Sequence, residues 1–178
     1  MPLLRRPDHE ETRPAVLPLS EAWHPIRKSV ERTEPRMQIH FKRIHRRAQL
    51  PVRANAGDAG LDFFAPHDIS LGVNVKRKVF TGLAVDIPMG WAGLVFPRSS
   101  LGTEHDTVLA NTVGIIDAGY RGEIAVVLKN NGNEPFTIKK GQRFAQMLIM
   151  PVMLATPVEV DELSASERGT GGFGSTGK

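Results

Sequence analysis

The sequence predicts an all-β protein of the jelly-roll or sandwich type, and three observations support this fold class. Short runs of β-branched and apolar residues recur along the chain, separated by turn sequences. The 178 residues include 17 glycines and 13 prolines, whereas only 6% are aromatic, which is typical of a chain with many turns. Apolar residues at helical spacing are almost absent from Met37 onward. We therefore expect one all-β domain, long enough to bury a hydrophobic core.

The first strand is predicted around Ile39 and Phe41, which alternate with polar neighbours as in a half-buried strand. Glycine, proline and asparagine clusters predict turns at 66–68, 88–90, 130–133 and 139–141. Between them, further strands are predicted at 61–65, 78–87, 91–96, 113–116, 122–130, 135–138 and 143–152.

The two ends of the chain differ from this core. Residues 1–36 are rich in proline and in charges of both signs, so we expect an N-terminal extension that is disordered. An alternative is a docking helix, carrying Trp23, Ile26 and Val30, for an unknown partner or a neighbouring subunit. The β core is predicted at 37–160, and a glycine-rich, flexible arm at 161–178.

Composition and charge exclude several classes of function. The chain has no cysteine, which excludes disulfides, thiolate catalysis and cysteine-bound zinc. No signal peptide or membrane-spanning run is found, so we expect a cytoplasmic protein without a membrane partner. The net charge is +4, with basic clusters at 42–53 and 76–78. Because aromatic residues do not interleave with them, we expect no sequence-specific nucleic-acid binding.

The segment from Asn111 to Glu123 is the strongest candidate for a functional loop. It places one acid, Asp117, and one aromatic, Tyr120, on a glycine-rich reversal between two apolar runs. We expect these runs to form a tight strand pair that presents the carboxylate to a ligand.

Three further sites carry polar groups suited to phosphate or metal. Arg98, Ser99 and Ser100 follow an apolar strand, where a guanidinium and hydroxyls can bind phosphate, although a structural salt bridge and a turn explain them equally well. Asp62 begins a strand and could serve a divalent cation through water. Gln146 interrupts an apolar strand, so its amide is either satisfied internally or faces a ligand.

The C-terminal arm adds further donors. Its glycines expose backbone N–H groups, and it also contains Arg168, Phe173, Ser175 and Thr176. Phosphate donors, acids and two aromatics together fit a nucleoside triphosphate attacked by water at phosphorus.

These segments resemble the trimeric dUTP pyrophosphatases (dUTPases). The resemblance covers residues 37–178, and five motifs occur in the order of that family. They are Ala59-Gly-Leu-Asp-Phe-Phe-Ala65, Pro97-Arg-Ser-Ser-Leu-Gly102, Asn111 to Gly122, Gly141-Gln-Arg-Phe-Ala-Gln146 and Arg168 to Gly177.

The resemblance implies a jelly-roll homotrimer that binds dUTP and uses Mg²⁺ to hydrolyse it to dUMP and pyrophosphate, which keeps uracil out of DNA. Each site would draw on all three subunits, with a swapped C-terminal arm. Asp117 would activate the water, and Tyr120 would lie beneath the deoxyribose and reject ribonucleotides. Asn111 and hairpin backbone groups, including Gly114 and Ile116, would read uracil.

By the same resemblance, other residues would bind the phosphates or the metal. Arg98, Ser99, Ser100 and Gln146 would contact phosphates, and Asp62 would lie near the water shell of a Mg²⁺ held mainly by the substrate. In the arm, Arg168 would bind the γ-phosphate side, Phe173 would cover uracil, and Gly174, Ser175 and Thr176 would close on the phosphates.

Two alternatives to a dUTPase are a dCTP deaminase-like enzyme of the same superfamily and a nucleotide-switched regulatory protein. The deaminase relatives typically lack the Tyr-Arg-Gly sequence found at Tyr120–Gly122. The sequence departs from the common family pattern at Ala118-Gly119, where an acid often stands beside the base.

Overall fold

The computed structural model describes residues 37–172, so the expectations for residues 1–36 and for 173–178 lie outside the described part. This part contains eleven strands and one short helix, which confirms the all-β prediction. In chain order the elements are β1 (His40–Arg43), β2 (Leu61–Phe64), β3 (Ile69–Leu71), β4 (Lys76–Phe80), β5 (Leu83–Asp86), β6 (Trp91–Pro97), α1 (Ser99–His105), β7 (Thr107–Leu109), β8 (Gly114–Ile116), β9 (Ala125–Asn130), β10 (Phe136–Ile138) and β11 (Arg143–Pro151).

All strand pairs in residues 37–172 are antiparallel, as expected for a jelly roll. The largest sheet has the order β2-β11-β6-β8, and a second has the order β4-β9-β7. Two ribbons, β1-β5 and β10-β3, complete the set. Strand β11 is the longest, with nine residues, and pairs with β2 on one side and β6 on the other.

The core is built from residues that alternate along these strands. In β9 every second side chain is buried, including Val126 and Leu128, as expected for a sheet with one face on the core. Phe63 and Phe144, from neighbouring strands, are completely buried. Each phenylalanine buried in this way contributes about 1.5–3 kcal/mol of transfer free energy.

The prediction of a single strand at 78–87 is wrong, because two strands occupy this region. Gly82 has a φ of +74° and separates β4 from β5, which belong to different sheets. The Thr81 hydroxyl donates to the Ile124 carbonyl at 2.9 Å, and the Gly82 carbonyl accepts from Ile44 N–H at 2.8 Å. The apolar pattern continues through the corner and therefore conceals it.

The segment after β6 is not the turn that the sequence offered as one explanation for Arg98, Ser99 and Ser100. Instead, Arg98 is the N-cap of α1 and His105 is its last residue. The His105 ring stacks on Phe136, with 4.1 Å between the ring centroids. Strands β3 and β7, of three residues each, are absent from the prediction.

The expectation of a tight strand pair around Asp117 is wrong as well. Strand β8 pairs with β6, whereas β9 pairs with β4 and β7. The two strands that flank Asp117 therefore lie in different sheets, and residues 117–124 form a crossing between them. Strand β9 begins at Ala125, three residues later than predicted.

The last element in the described residues is β11. Beyond it, Val152 N–H donates to the Gly90 carbonyl at 2.8 Å, and Met153 and Leu163 are 91% and 89% exposed. Among the described residues, no helix is long and apolar enough to cross a membrane.

Candidate functional site

One cavity brings together four of the predicted site residues. It has a volume of about 290 Å³ and lies between the 54–60 loop, β2, the start of α1 and β11. We call it the Gln146 cavity; its lining comprises Ala54, Asp58, Ala59, Gly60, Asp62, Arg98, Ser99 and Gln146. The arginine, the serine hydroxyl and the amide provide donors for an anionic ligand.

Asp62 is the most buried acid of this cavity and is held by two arginines. Its Oδ1 lies 3.5 Å from Arg98 Nε, and its Oδ2 accepts from Arg143 Nη1 at 3.0 Å. The Asp62 residue is only 7% exposed. The salt bridge that the sequence leaves open as an alternative role for Arg98 therefore exists, while Arg98 also lines the cavity.

Gln146 combines both alternatives that its sequence context left open. Its Nε2 donates to the Pro97 carbonyl at 3.2 Å, so the amide is partly satisfied internally. The side chain also lines the cavity, next to Gly60. A Cβ at Gly60 would lie 2.5 Å from Gln146 Oε1, so the glycine leaves the room that the amide occupies.

A second cavity is also lined by Arg98. It has a volume of about 420 Å³, and we call it the His105 cavity. Ser100, which was predicted to bind phosphate with Ser99, lines this cavity, as does Arg143. Arg98 is the one residue that the two linings share.

A second group of predicted site residues lies on or next to residues 117–124, which we call the Asp117 loop. Asp117, Tyr120 and Asn111 are exposed, whereas Gly114 and Ile116 of β8 are half-buried. A β-turn closes the loop, with Tyr120 N–H donating to the Asp117 carbonyl at 3.0 Å, which suits the small residues between them.

Three side chains fix the shape of this loop. The Tyr120 hydroxyl donates to the Glu123 carbonyl at 2.9 Å. Arg121 Nη1 donates to the carbonyls of Ala118 at 2.6 Å and Tyr120 at 2.9 Å, and its Nη2 pairs with the Asp86 carboxylate. The loop is therefore held by its own arginine and by the end of β5.

The two groups of residues lie at opposite ends of β6 in one chain. Ile116 pairs with Gly93, which places Asp117 beyond Gly93, whereas Arg98 directly follows the other end of the strand. About six residues of extended chain separate them, or roughly 20 Å. A single chain therefore does not bring Asp117 and Arg98 to the same small molecule.

The arm contributes little to either group within the described residues. Arg168 is exposed, and its carbonyl accepts from Gly171 N–H at 3.1 Å in a local turn. Phe173, Gly174, Ser175 and Thr176 lie outside the described residues.

The donor set for a metal ion is sparse. In residues 37–172 no group of three or more acidic or histidine side chains could hold an ion. Because both oxygens of Asp62 face arginines, this carboxylate suits contact through water rather than direct coordination. The residues present fit a cation that takes most of its ligands from a bound molecule.

Arg143 and Arg121 are site residues that sequence reasoning missed. Simple alternation would place Arg143 and Gln146 on opposite faces of β11. A register shift between Arg143 and Ala145 changes this, because Arg143 pairs with Phe64 and Gln146 with Asp62, two positions on one face of β2. The β-bulge thus brings Arg143 to the side of Asp62.

Comparisons with known proteins give matches over most of the chain. The dUTPase family model matches residues 46–177. A deoxyuridine 5'-triphosphate nucleotidohydrolase of Clostridium kluyveri is 45% identical over 141 residues, covering 79% of this chain and 99% of the relative. That of Gloeobacter violaceus is 43% identical over 143 residues, covering 79% and 97%.

Solved structures give the same result. The Staphylococcus bacteriophage 80alpha dUTPase with dUPNHPP has a TM-score of 0.74 and 30% identity, covering 79% of this chain and 99% of that chain. A mutant dUTPase from phage phi11 of S. aureus, which coordinates a structural Mg(II) ion, has a TM-score of 0.65 and 26% identity, covering 71% and 98%. The extent of these matches and the order of the five motifs show that the chain belongs to the dUTPase family.

Proposed function

We propose that this protein is a dUTP diphosphatase that hydrolyses dUTP to dUMP and pyrophosphate. The observation that carries the proposal is the convergence of Arg98, Ser99, Asp62 and Gln146 on one cavity, in a chain of the dUTPase family. The deaminase alternative is not favoured, because the relatives described above are dUTPases.

The active enzyme is a homotrimer in this proposal, with sites between subunits. The separation of roughly 20 Å between Asp117 and Arg98 along β6 supports it, because a complete site then requires the loop of one subunit beside the Gln146 cavity of another. The exposed apolar residues after β11, such as Met153 and Leu163, provide surface for contact between copies.

In the reaction, Asp117 accepts a proton from the attacking water. The water oxygen forms a bond to the α-phosphorus, and the bond from that phosphorus to the oxygen bridging to the β-phosphate breaks, so pyrophosphate leaves in line. Arg98, Ser99 and Gln146 hold the phosphates in the Gln146 cavity and stabilise the charge that develops on them. Ser100 lines the His105 cavity, so its contact with a phosphate stays a prediction.

The base and the sugar are bound by the Asp117 loop and β8. Tyr120 lies beneath the deoxyribose and leaves no room for a 2′-hydroxyl, and its bond to the Glu123 carbonyl fixes its ring. Asn111 and backbone groups at Gly114 and Ile116 read uracil. Because β8 and β9 lie in different sheets, this selection falls to the β8 edge and the crossing loop.

The arm and a metal ion complete the site. Arg168 binds the γ-phosphate side, Phe173 covers uracil, and Gly174, Ser175 and Thr176 close on the phosphates. Mg²⁺, when bound to the substrate phosphates, would withdraw charge from them, and Asp62 would meet its water shell. A cytoplasmic location and a partner for residues 1–36 stay predictions.

Pyrophosphate release from dUTP tests the proposal, with dCTP, dTTP and UTP as competing substrates. We expect release from dUTP with the wild type, and a loss of about 10²- to 10⁴-fold with Asp117→Asn, because the general base that activates water is removed. If the wild type released no pyrophosphate, the proposed dUTP diphosphatase activity would be refuted. Normal release by Asp117→Asn would refute the role of Asp117 as general base.

A further inference from the structure

Arg143 occupies a position that the proposed chemistry does not use. It begins β11 and lines the His105 cavity rather than the Gln146 cavity. Its Nη1 nevertheless reaches through to Asp62 Oδ2 at 3.0 Å, on the far side from Arg98. The side chain is 34% exposed, and that of Asp62 is 10% exposed.

We propose that Arg143 is a positioning residue, which acts through Asp62 to hold Arg98 in the conformation that binds the substrate's phosphate chain. This inference rests on the proposed function and assigns a role to a residue that makes no phosphate contact itself. The three side chains form one chain of charges, Arg143–Asp62–Arg98, which connects the linings of the two cavities.

The geometry of Arg98 gives the first argument. Asp62 Oδ1 lies 3.5 Å from the Nε of Arg98, so this ion pair does not use the two terminal nitrogens of the guanidinium. Within residues 37–172 the structure gives those Nη atoms no hydrogen bond, so they remain available to a ligand. Two parallel N–H groups are the arrangement with which a guanidinium binds phosphate.

Competition for the carboxylate gives the second argument. Because Arg143 occupies Oδ2, Asp62 presents only Oδ1 to Arg98 in this arrangement. Without Arg143, both oxygens would be free, and a bidentate pair with Arg98 would be the favoured geometry. Arg98 would then turn its terminal nitrogens away from the phosphates.

Charge gives the third argument. Two arginines and one aspartate carry a net charge of +1 beside a polyphosphate. Removal of Arg143 leaves Asp62 and Arg98 with no net charge, at a half-buried place where electrostatic interactions are stronger than in water. Loss of Arg143 is therefore expected to affect phosphate binding and to leave nucleoside binding intact.

The test compares Arg143→Gln with Arg143→Lys in the full-length protein and measures ligand binding, not hydrolysis. Binding of the imidotriphosphate dUPNHPP and of dUMP is measured for each variant, together with sedimentation and thermal melting. Arg46→Gln is the matched control, because Arg46 is exposed and makes no salt bridge within the described residues.

We expect Arg143→Gln to weaken imidotriphosphate binding by about 30-fold, within the range for residues of one ion-pair network, and to change dUMP binding less than about twofold. Arg143→Lys keeps the charge and should lose less than about fivefold. The decisive measurement is Arg98→Gln in both backgrounds: its cost should be large with Arg143 present and nearly absent in the Arg143→Gln protein.

Additive losses would overturn the inference, since they would mean that Arg143 binds phosphate independently. Unchanged binding in Arg143→Gln would overturn it too. If Arg143→Gln does not assemble, the same cycle is run with Arg143→Met, which also removes the charge that holds Asp62 Oδ2, and additivity again counts against the inference. If wild type binds the imidotriphosphate but releases no pyrophosphate from dUTP, the proposed function fails and not the role of Arg143.

Discussion

At the scale of single residues, the Gln146 cavity depends on the absence of one side chain. Gly60 carries no Cβ. A Cβ at this position would lie only 2.5 Å from Gln146 Oε1, which is too close for both atoms. The backbone of Gly60 is not in a left-handed conformation. The glycine is therefore needed for space and not for backbone freedom.

We predict that Gly60→Ala lowers the rate of pyrophosphate release from dUTP by about 10- to 100-fold, because a displacement of this size at a binding group is costly. Gly57→Ala is the control, since a Cβ there meets nothing within 4 Å. Steady-state kinetics of the two variants, with melting curves, provide the test. Equal rates in the two variants would contradict the assigned role of Gln146.

Residue types were easier to predict than residue partners. The chemistry of Asp62, Arg98, Ser99 and Gln146 follows from their side chains, and the structure brings these four together. The pairing of Asp62 with Arg143 depends on a register shift in β11. A bulge of one residue leaves no clear trace in an apolar run such as Phe144-Ala145, and so Arg143 could not be assigned from the sequence.

At the scale of elements, the Asp117 loop is a crossing between sheets that needs its own bracing. Arg121 supplies it, since one terminal nitrogen donates to two loop carbonyls and the other pairs with Asp86 at the end of β5. Both side chains of this pair are more than half exposed. Such a pair contributes at most about 1 kcal/mol to stability, so its main effect is on loop geometry.

We predict that Arg121→Met lowers kcat for dUTP about tenfold while the melting temperature changes little, because the Asp117 carboxylate is no longer held in position to activate the water. Asp86→Asn keeps the two carbonyl bonds and should lose less. Comparison of kcat in these two variants with wild type tests this order. A larger loss of kcat in Asp86→Asn than in Arg121→Met would show that the ion pair, and not the hydrogen bonds to the carbonyls, fixes the conformation of the loop.

A second bracing contact joins the turn before β3 to the turn before β11. Asp68 accepts from Lys140 N–H at 2.8 Å and pairs with Lys139 Nζ at 3.1 Å. The backbone N–H of Lys140, followed by the Lys139 side chain, lowers the pKa of Asp68 below its ordinary 3.8. The folded state therefore favours the charged form of this carboxylate.

We predict that Asp68→Asn is less stable than wild type at pH 7, and that the difference shrinks as the pH falls below 3.8. The sign follows from linkage: a group whose pKa is lowered on folding stabilises the protein above its unfolded pKa, and this contribution is lost as acid protonates the folded form. Denaturant midpoints for both proteins, measured from neutral pH down to below the ordinary pKa of the carboxyl, test this. A gap that stays constant with pH would contradict it.

Element types were predicted where one periodicity persisted, and were missed where the chain turned a corner. The strands at 61–65, 91–96 and 143–152 are present within a residue or two of the prediction. The run at 78–87 stays apolar through Gly82, where only a φ of +74° reveals the break. Short elements such as β3 and β7 are set by their partners, β10 and β9, and not by local preference.

At the scale of the whole molecule, the strand order separates Asp117, the proposed general base, from the residues that bind the phosphates. Strand β6 carries Arg98 after one end, and through β8 it places Asp117 at the other. In one subunit the two lie roughly 20 Å apart, so each complete site combines at least two chains in the proposed trimer. Two inactive variants, one damaged at each end of β6, should therefore complement each other.

We predict that Asp117→Asn and Arg98→Gln, each nearly inactive alone, regain activity when they are unfolded together and refolded as mixed oligomers. With random mixing in equal amounts, about a quarter of the sites would join an intact loop to an intact cavity, because each half comes independently from either variant. Pyrophosphate release near a quarter of the wild-type rate is the expected result. Each variant refolded alone is the control, and a mixture no more active than these controls would mean that Asp117 and Arg98 of the same chain serve one site.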